Sequence, residues 1–270
     1  MLSRRFFIMV SVAILFIGGC SAPDKGVSRG RLVVASDTLV GSMLESLLPQ
    51  GEFEVYTILP SDQCPGHYDV KLSDIEKVET AELSVYFKDM PIGKRIMEAG
   101  RSGIALSESG ENWMLPGNYI KGAGILAGEL EEKFPEFSND IARNFGKLER
   151  EVTVAGDALK NRLSEAGCEK AVAVVARMQK DQLEWMGFET ICLYGRPESF
   201  SSRTVAECVT EAKKKGAVLV ADNLQSGPDA GSGIAESLGI PHITLKNFPS
   251  EDGYIATIEN NVNIVIESVR

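Results

Sequence analysis

Histidine is scarce in this sequence, and the familiar enzyme signatures are missing from it. The 270 residues include two histidines, His67 and His242. There is no G-x-x-x-x-G-K-[ST] loop, no G-x-G-x-x-G after a predicted strand and no H-E-x-x-H. Cys64, His67 and Asp69 could be imagined as nucleophile, base and orienting acid, but residues so close in sequence rarely reach triad geometry. The sequence therefore argues against an enzyme.

Basic residues are also in the minority. Lysine and arginine number 28 against 38 acidic residues, a formal net charge of −10. Nucleic acid is therefore not expected as a partner. The hydrophobic content of 44% allows a large core, either as one domain or as two lobes, and we expect a monomer.

The chain has no apolar run long enough to cross a membrane. Arg4 and Arg5 precede FFIMVSVAILFI, about a dozen residues where a span needs roughly 20. This pattern predicts a secretory signal, and I-G-G-C resembles the lipobox of bacterial lipoproteins, in which Cys20 is lipidated. We expect residues 1–20 to be a lipoprotein signal peptide, residues 21–30 to be a polar tether, and the body to be anchored at the extracytoplasmic face of the cell membrane. An ordinary cleaved signal peptide is the alternative.

Cysteine is sparse beyond Cys20, and the pattern does not demand disulfides. Cys168 precedes one predicted strand and Cys192 lies near the end of the next. If those strands are parallel, the two sulfurs lie roughly 20 Å apart, too far for a bond. We expect free thiols.

Short β-branched runs alternate with helical patterns throughout the body. Such alternation is typical of parallel sheets with crossover helices. The predicted strands span 32–35, 53–59, 83–87 and 103–106, and then 171–176, 189–193, 217–221 and 242–245. The predicted helices span 40–48, 73–78 and 92–99, and then 180–186, 204–215, 232–238 and 254–268. The fold class is therefore α/β, with lobes at 31–136 and 168–270, each a parallel sheet flanked by helices.

One long helix should join the lobes. Apolar residues recur at spacings of three and four from Ile141 to Ala166, which indicates an amphipathic helix. With Ser138 as N-cap and Gly167 as stop signal, it would occupy the linking segment 137–167, and its helical part from Asn139 to Ala166 would measure about 42 Å. A rod of that length would run along both lobes and limit their hinging. A free coiled coil is the competing interpretation, which the lack of sustained e/g charge pairing disfavours.

Five segments carry a resemblance to a known family. They are LVVASDTLVGSMLESL on the first strand and helix, QCPGHYDVKLSD after the second strand, ETAELSVYFKDMPIGKRIME around the third strand, ENWMLPGNYIKGAGILAGELEEKFPE before the long helix, and SEDGYIATIENNVNIVIESV at the end. With the lipobox and the two lobes, they resemble the solute-binding lipoproteins of ABC importers for zinc and manganese. The resemblance covers nearly all of the mature chain. It implies a divalent metal held between the lobes by four side chains, and a permease with its ATPase as partners.

The resemblance implies a ligand set that this sequence only partly keeps. His67 matches the first ligand. Glu111 stands two residues before Trp113, where the family has histidine. At the third and fourth ligand positions, where the family has His or Glu and then Asp, the sequence has Arg177-Met178-Gln179 and Lys246.

Neighbouring residues could complete the set. Cys64 precedes His67 by three residues across Pro65 and Gly66, a spacing at which a tight turn can bring both donors to one ion, and Asp69 could add an oxygen. The alternative is that Cys64 packs under the loop while His67 bonds a backbone carbonyl. The metal candidates are thus His67, Glu111, Cys64 and Asp222.

The loop ADNLQSGPD follows a predicted strand and should face the cleft, since ligands gather at the carboxyl ends of parallel strands. Asp222 there could donate to a metal or serve a turn, and Gln225 is a cleft candidate. Trp113 is expected to wall the cleft. His242 is expected to be a satisfied histidine of a central strand.

Lys246 cannot donate to a metal and repels it. With Arg177 it raises the alternative of an anionic metal chelate or organic ligand. The resemblance implies a lipid-anchored carrier that captures zinc, manganese or a similar ion and delivers it to a permease. A metal-free adhesin or scaffold is a further alternative.

Overall fold

The computed structural model describes residues 30–99, 103–107, 111–196 and 201–270. Cys20, the signal segment and residues 21–29 of the tether lie outside these ranges. The strands are β1 (Arg31–Asp37), β2 (Phe53–Leu59), β3 (Leu83–Phe87), β4 (Gly103–Leu106), β5 (Val172–Ala176), β6 (Glu189–Tyr194), β7 (Ala217–Asn223) and β8 (His242–Leu245). The helices are α1 (Thr38–Leu47), α2 (Leu72–Thr80), α3 (Pro91–Glu98), α4 (Pro116–Lys133), α5 (Ser138–Glu165), α6 (Lys180–Trp185), α7 (Ser202–Lys215), α8 (Ser232–Leu238) and α9 (Tyr254–Val269).

The strands form two four-stranded parallel sheets, ordered β2-β1-β3-β4 and β6-β5-β7-β8. The predicted fold class is confirmed. Strands β3 (LSVYF) and β5 (VAVVA) are buried along their whole length, as expected where helices cover both faces of a parallel sheet. Strand β8 lies at the edge of its sheet, so the predicted central position of His242 is wrong: β8 pairs with β7, and the described residues provide no strand beyond it.

Helix α5 is the predicted rod. Its 28 residues measure about 42 Å, and it contacts α1 and α4 of the first lobe and α9 of the second. It ends as predicted, because Gly167 takes a left-handed conformation (φ 76°) while Cys168 N–H donates to Leu163 O. The free coiled coil is therefore wrong.

The predicted N-cap of α5 is also wrong. A short 3-10 turn, Pro135–Phe137, runs straight into the helix, so Ser138 already has helical angles (φ −52°, ψ −46°). Its hydroxyl donates to Glu131 on α4 instead of capping a backbone N–H.

A continuous apolar core joins the two lobes. It includes Val33 and Val85 of the first sheet, Val175 and Leu219 of the second, and the buried stripe of α5 between them. None of the helices within the described residues is both long and apolar enough to cross a bilayer. The shared core leaves large hinge motions little room, in agreement with the expectation from α5.

Candidate solute site between the lobes

The loops that follow all eight strands border one cavity of about 540 Å³ between the lobes. Carboxyl ends of parallel strands are where ligands of such sheets bind. The first lobe supplies Leu39 after β1, Cys64, Pro65 and Gly66 after β2, Asp89, Met90 and Pro91 after β3, and Glu111, Asn112, Trp113 and Met114 after β4. The second supplies Ala176, Arg177 and Met178 with Asp181, then Tyr194, Gly195 and Arg196, then Asn223, Gln225, Ser226 and Gly227, and finally Asn247 and Phe248.

The QCPGHYD loop folds as a tight turn, with His67 N–H donating to Cys64 O at 3.0 Å. The structure thus brings Cys64 and His67 together, as their spacing predicts. Cys64 is half-buried and lines the cavity, whereas His67 and Asp69 are exposed.

Arg196 of the second lobe reaches across to this turn. Its Nη1 lies 3.0 Å from His67 Nε2, and its Nη2 donates to Cys64 Sγ at 3.0 Å. Because a guanidinium has hydrogens to donate and no lone pair to offer, the His67 ring nitrogen accepts in this contact. Sequence reasoning missed Arg196, although its place directly after β6 is the signal used for the other cleft residues.

Glu111 and Trp113 lie on the wall contributed by the first lobe. Glu111 accepts from Lys121 Nζ at 2.6 Å. Trp113 is 5% exposed and packs edge-on against Phe87 with ring centroids 4.9 Å apart. Its ring also lies against α4 at Gly122, where an added Cβ would come within 2.6 Å of the indole.

The turn after β5 divides its residues between the cavity and the interior. Arg177 and Met178 are exposed and line the cavity. Gln179 is fully buried and donates to Asn223 Oδ1 at 2.8 Å and to Leu245 O at 3.1 Å. Its side chain stabilises the loop ends of the second sheet beneath the cavity.

Asp222 is fully buried and its carboxylate is engaged on both oxygens. Tyr194 O–H donates to Oδ1 at 2.5 Å, and Oδ2 lies 2.8 Å from Gly231 N and 2.6 Å from His242 Nε2. Burial, and then the Asp222 charge, raise the pKa of Tyr194, so this hydroxyl stays a donor. His242 is therefore satisfied, and Asp222 is not among the described residues that border the cavity.

Lys246 is held by its backbone. Its N–H donates to Asn261 Oδ1 at 3.1 Å, and its carbonyl accepts from Asn261 Nδ2 at 2.8 Å and Gln182 Nε2 at 3.1 Å. It is not among the cavity-lining residues that the structure describes.

Gln225 bridges the two lobes, as its cleft position suggests. Its Nε2 donates to Ser61 O at 2.6 Å, and its Oε1 accepts from Asn247 N–H at 3.1 Å. Gln225 and Arg196 thus make polar contacts between the lobes across the cleft, in addition to the apolar contacts of the shared core.

Leu39, which lines the cavity, lies in the first turn of α1, and Asp37 caps this helix. Asp37 ends β1, and its Oδ1 accepts from Leu39 N–H at 2.9 Å and Val40 N–H at 3.1 Å. Complete burial raises the pKa of Asp37, an effect that these bonds and the Ser36 hydroxyl counter.

Metal-type donors are few around the cavity. Over the described ranges, no three His, Cys, Asp or Glu side chains converge where one ion could be shared. What the cavity wall does combine is two guanidinium groups, those of Arg177 and Arg196, with several side-chain amides and an apolar surface that includes Met90, Met114 and Phe248.

Two parallel α/β lobes on a shared helical rod, with a cavity at their strand ends, define the class of two-lobed solute-binding proteins. The family model described as "ZnuA: Zinc-uptake complex component A periplasmic" matches residues 33–268, and the chain belongs to this family. The family is an extracytoplasmic transport component that works with an ABC permease and its ATPase.

Solved structures share the fold. A zinc-bound deletion mutant of ZnuA has a TM-score of 0.75 at 14% identity, over 88% of this chain and 98% of that one. The laminin-binding protein of Streptococcus agalactiae, described as bifunctional with adhesin and metal-transporting activity, has a TM-score of 0.74 at 16% identity, over 89% and 100% of the two chains.

An uncharacterized protein of Rickettsia prowazekii (strain Madrid E) is 25% identical over 128 residues. The match covers 44% of this chain and 40% of that relative, so the chain spans less than half of its length.

Proposed function

We propose that this chain is the extracytoplasmic solute-binding component of an ABC importer, which captures a divalent transition metal between its lobes and delivers it to the permease. The observation that carries the proposal is the convergence of loops from all eight strands on one cavity, in a chain of the zinc-uptake family. Zinc and manganese are the first candidates, since a manganese-bound structure from Candidatus Liberibacter asiaticus also shares the fold.

The donors in this proposal come from the first lobe. His67 supplies an imidazole nitrogen, Cys64 a thiolate and Glu111 a carboxylate, all of which bind zinc or manganese. Arg196 now contacts the first two and Lys121 the third, so capture requires both cations to move. Asp69, exposed in the same turn, is a reserve oxygen donor, and the proposal leaves Asp222 out because its oxygens are already engaged.

Lipid on Cys20 would hold the carrier, a monomer in this proposal, at the membrane that contains the permease and ATPase. Such a carrier needs no catalytic residue, and no enzymatic role is assigned to Cys64 or His67. Release follows when the permease separates the cross-cleft contacts of Gln225 and Arg196.

His67→Ala should weaken metal binding at least tenfold, because it removes the best-supported donor of the turn. Isothermal titration calorimetry with zinc and manganese, alone and as citrate complexes, on the untagged full chain in mild detergent measures the effect. Asp62→Ala, which changes an exposed acid of the same loop, is the matched control and should bind as wild type. Equal affinity in His67→Ala and wild type would rule out His67 as a ligand.

A further inference from the structure

We infer that the metal enters the cleft as an anionic chelate, already coordinated by a small carboxylate-bearing molecule, and not as a bare ion. The inference rests on the proposed function and names the form of its solute.

The protein donors do not fill a coordination sphere. Zinc usually takes four ligands, and harder divalent ions take more. Cys64 and His67 share one turn, and Glu111 lines the same cavity, but no trio of metal-type donors is assembled anywhere in the described ranges. The missing donors must arrive with the ion, as water or as an organic ligand.

The size and surface of the cavity favour an organic ligand. Its volume of about 540 Å³ lies within the range of small-molecule sites, roughly 300–1,000 Å³. Met90, Met114, Met178 and Phe248 give it an apolar surface. An ion gains nothing from that surface, whereas the carbon skeleton of a chelator is desolvated against it.

The arginines of the second lobe favour a solute that carries carboxylates. Arg177 and Arg196 project from the second lobe into the cavity, and Arg177 forms no ion pair with any described residue. Guanidinium groups bind carboxylates through paired hydrogen bonds and repel a bare divalent cation.

Two of the three acids on the wall offset part of the arginine charge. Glu111 is paired with Lys121 at 2.6 Å, but Lys180, which lies 3.8 Å from Asp181, bonds Glu184 more closely at 2.5 Å. Asp181 and Asp89 therefore keep their charge at the wall, and the preference for carboxylates rests on the paired hydrogen bonds that each guanidinium can donate. When Arg196 turns from Cys64 and His67 to a carboxylate of the chelate, it frees both donors for the metal within that chelate.

The test compares forms of one metal on the untagged full chain in mild detergent. The probes are zinc alone, zinc citrate, zinc nitrilotriacetate, citrate alone and zinc triethylenetetramine, whose amine chelator brings no carboxylate. Equilibrium dialysis with elemental analysis measures bound metal, and labelled citrate measures bound chelator. We expect at least one carboxylate complex to bind tenfold or more tightly than free zinc, citrate alone and the amine complex.

Two arginine variants test whether the guanidinium groups bind the chelator. Arg177→Gln and Arg196→Gln should each lower affinity for the preferred carboxylate complex about tenfold, while Arg203→Gln, an exposed arginine on α7, should not change it. Unchanged circular dichroism and melting temperature would exclude misfolding as the cause.

The remaining outcomes separate the two proposals. If free zinc binds as tightly as its carboxylate complexes, and its affinity is unchanged or raised in Arg196→Gln, the chelate proposal is wrong and the proposal of a metal carrier stands. Citrate that binds equally well without zinc would overturn the chelate and the metal cargo. No binding of any probe would contradict both proposals.

Discussion

Asp222→Ala should lower the free energy of unfolding by about 3–5 kcal/mol, because it removes a buried carboxylate that accepts three hydrogen bonds, and a bond to a charged group is worth about 1.5–3 kcal/mol. The substitution deprives Tyr194 O–H, Gly231 N–H and His242 of their shared acceptor, which is itself fully buried. For a chain of this size each kcal/mol lowers the melting temperature by about 2–4 °C, so a decrease of about 10 °C is expected in a thermal scan.

Asp229→Ala is the matched control for this substitution. Asp229 is an exposed acid seven residues further along the same segment, and its replacement should change the melting temperature by less than about 2 °C. Comparable melting of the two variants would mean that the Asp222 network does not stabilise the second lobe.

Tyr254→Ala should destabilise the chain by a similar amount, about 3–5 kcal/mol, because it removes a buried ring from the junction of the lobes. Tyr254 of α9 stacks on Tyr119 of α4 with centroids 3.6 Å apart, and its O–H donates to Met114 O at 2.9 Å. Urea unfolding followed by circular dichroism measures the loss.

Tyr254→Phe separates the ring from its hydroxyl. It keeps the stack and loses only the bond to Met114, so the expected cost is about 1 kcal/mol. If the Ala and Phe variants lose equal stability, the ring does not join the lobes as described.

The cleft has two kinds of inter-lobe contact, which differ in how easily they can open. The tyrosine pair and the apolar stripe of α5 are buried and continuous with both sheets. The contacts of Gln225 with Ser61 and of Arg196 with Cys64 and His67 are polar and border the cavity. The polar contacts can therefore open without disturbing the buried core.

The sequence predicts the fold well because its signals are local. Runs such as VAVVA are short, apolar and β-branched, and parallel sheets buried on both faces require such runs. The long helix follows from the three-and-four spacing of its buried residues. The N-cap role predicted for Ser138 was wrong. The 3-10 turn before Ser138 continues into the helix, so Ser138 is already helical and no side chain caps the helix start.

The site was predicted less completely. Which residues border the cavity depends on where each strand ends, and the end of one strand was placed two residues too early. Strand β7 was expected to stop at Ala221, which would place Asp222 in the loop. It continues to Asn223, so Asp222 lies inside the sheet and bonds His242. Cys64, Arg177 and Gln225 follow strand ends and are among the residues that line the cavity.

The place of Arg196 after β6 could have been read from the sequence, but its partners could not, because they are remote in sequence. It lies 129 residues from His67 and 132 from Cys64, and no spacing pattern links such positions. Only the packing of the two lobes against each other places it beside the QCPGHYD turn.

Native mass spectrometry of the untagged full chain, incubated with zinc citrate and freed of excess, tests the proposed capture of a metal in the cleft most directly. The account predicts one added mass of zinc plus citrate per chain, at least tenfold less occupied in His67→Ala and retained in Asp62→Ala. A wild-type chain that carries no adduct, or an adduct equally abundant in His67→Ala, would contradict it.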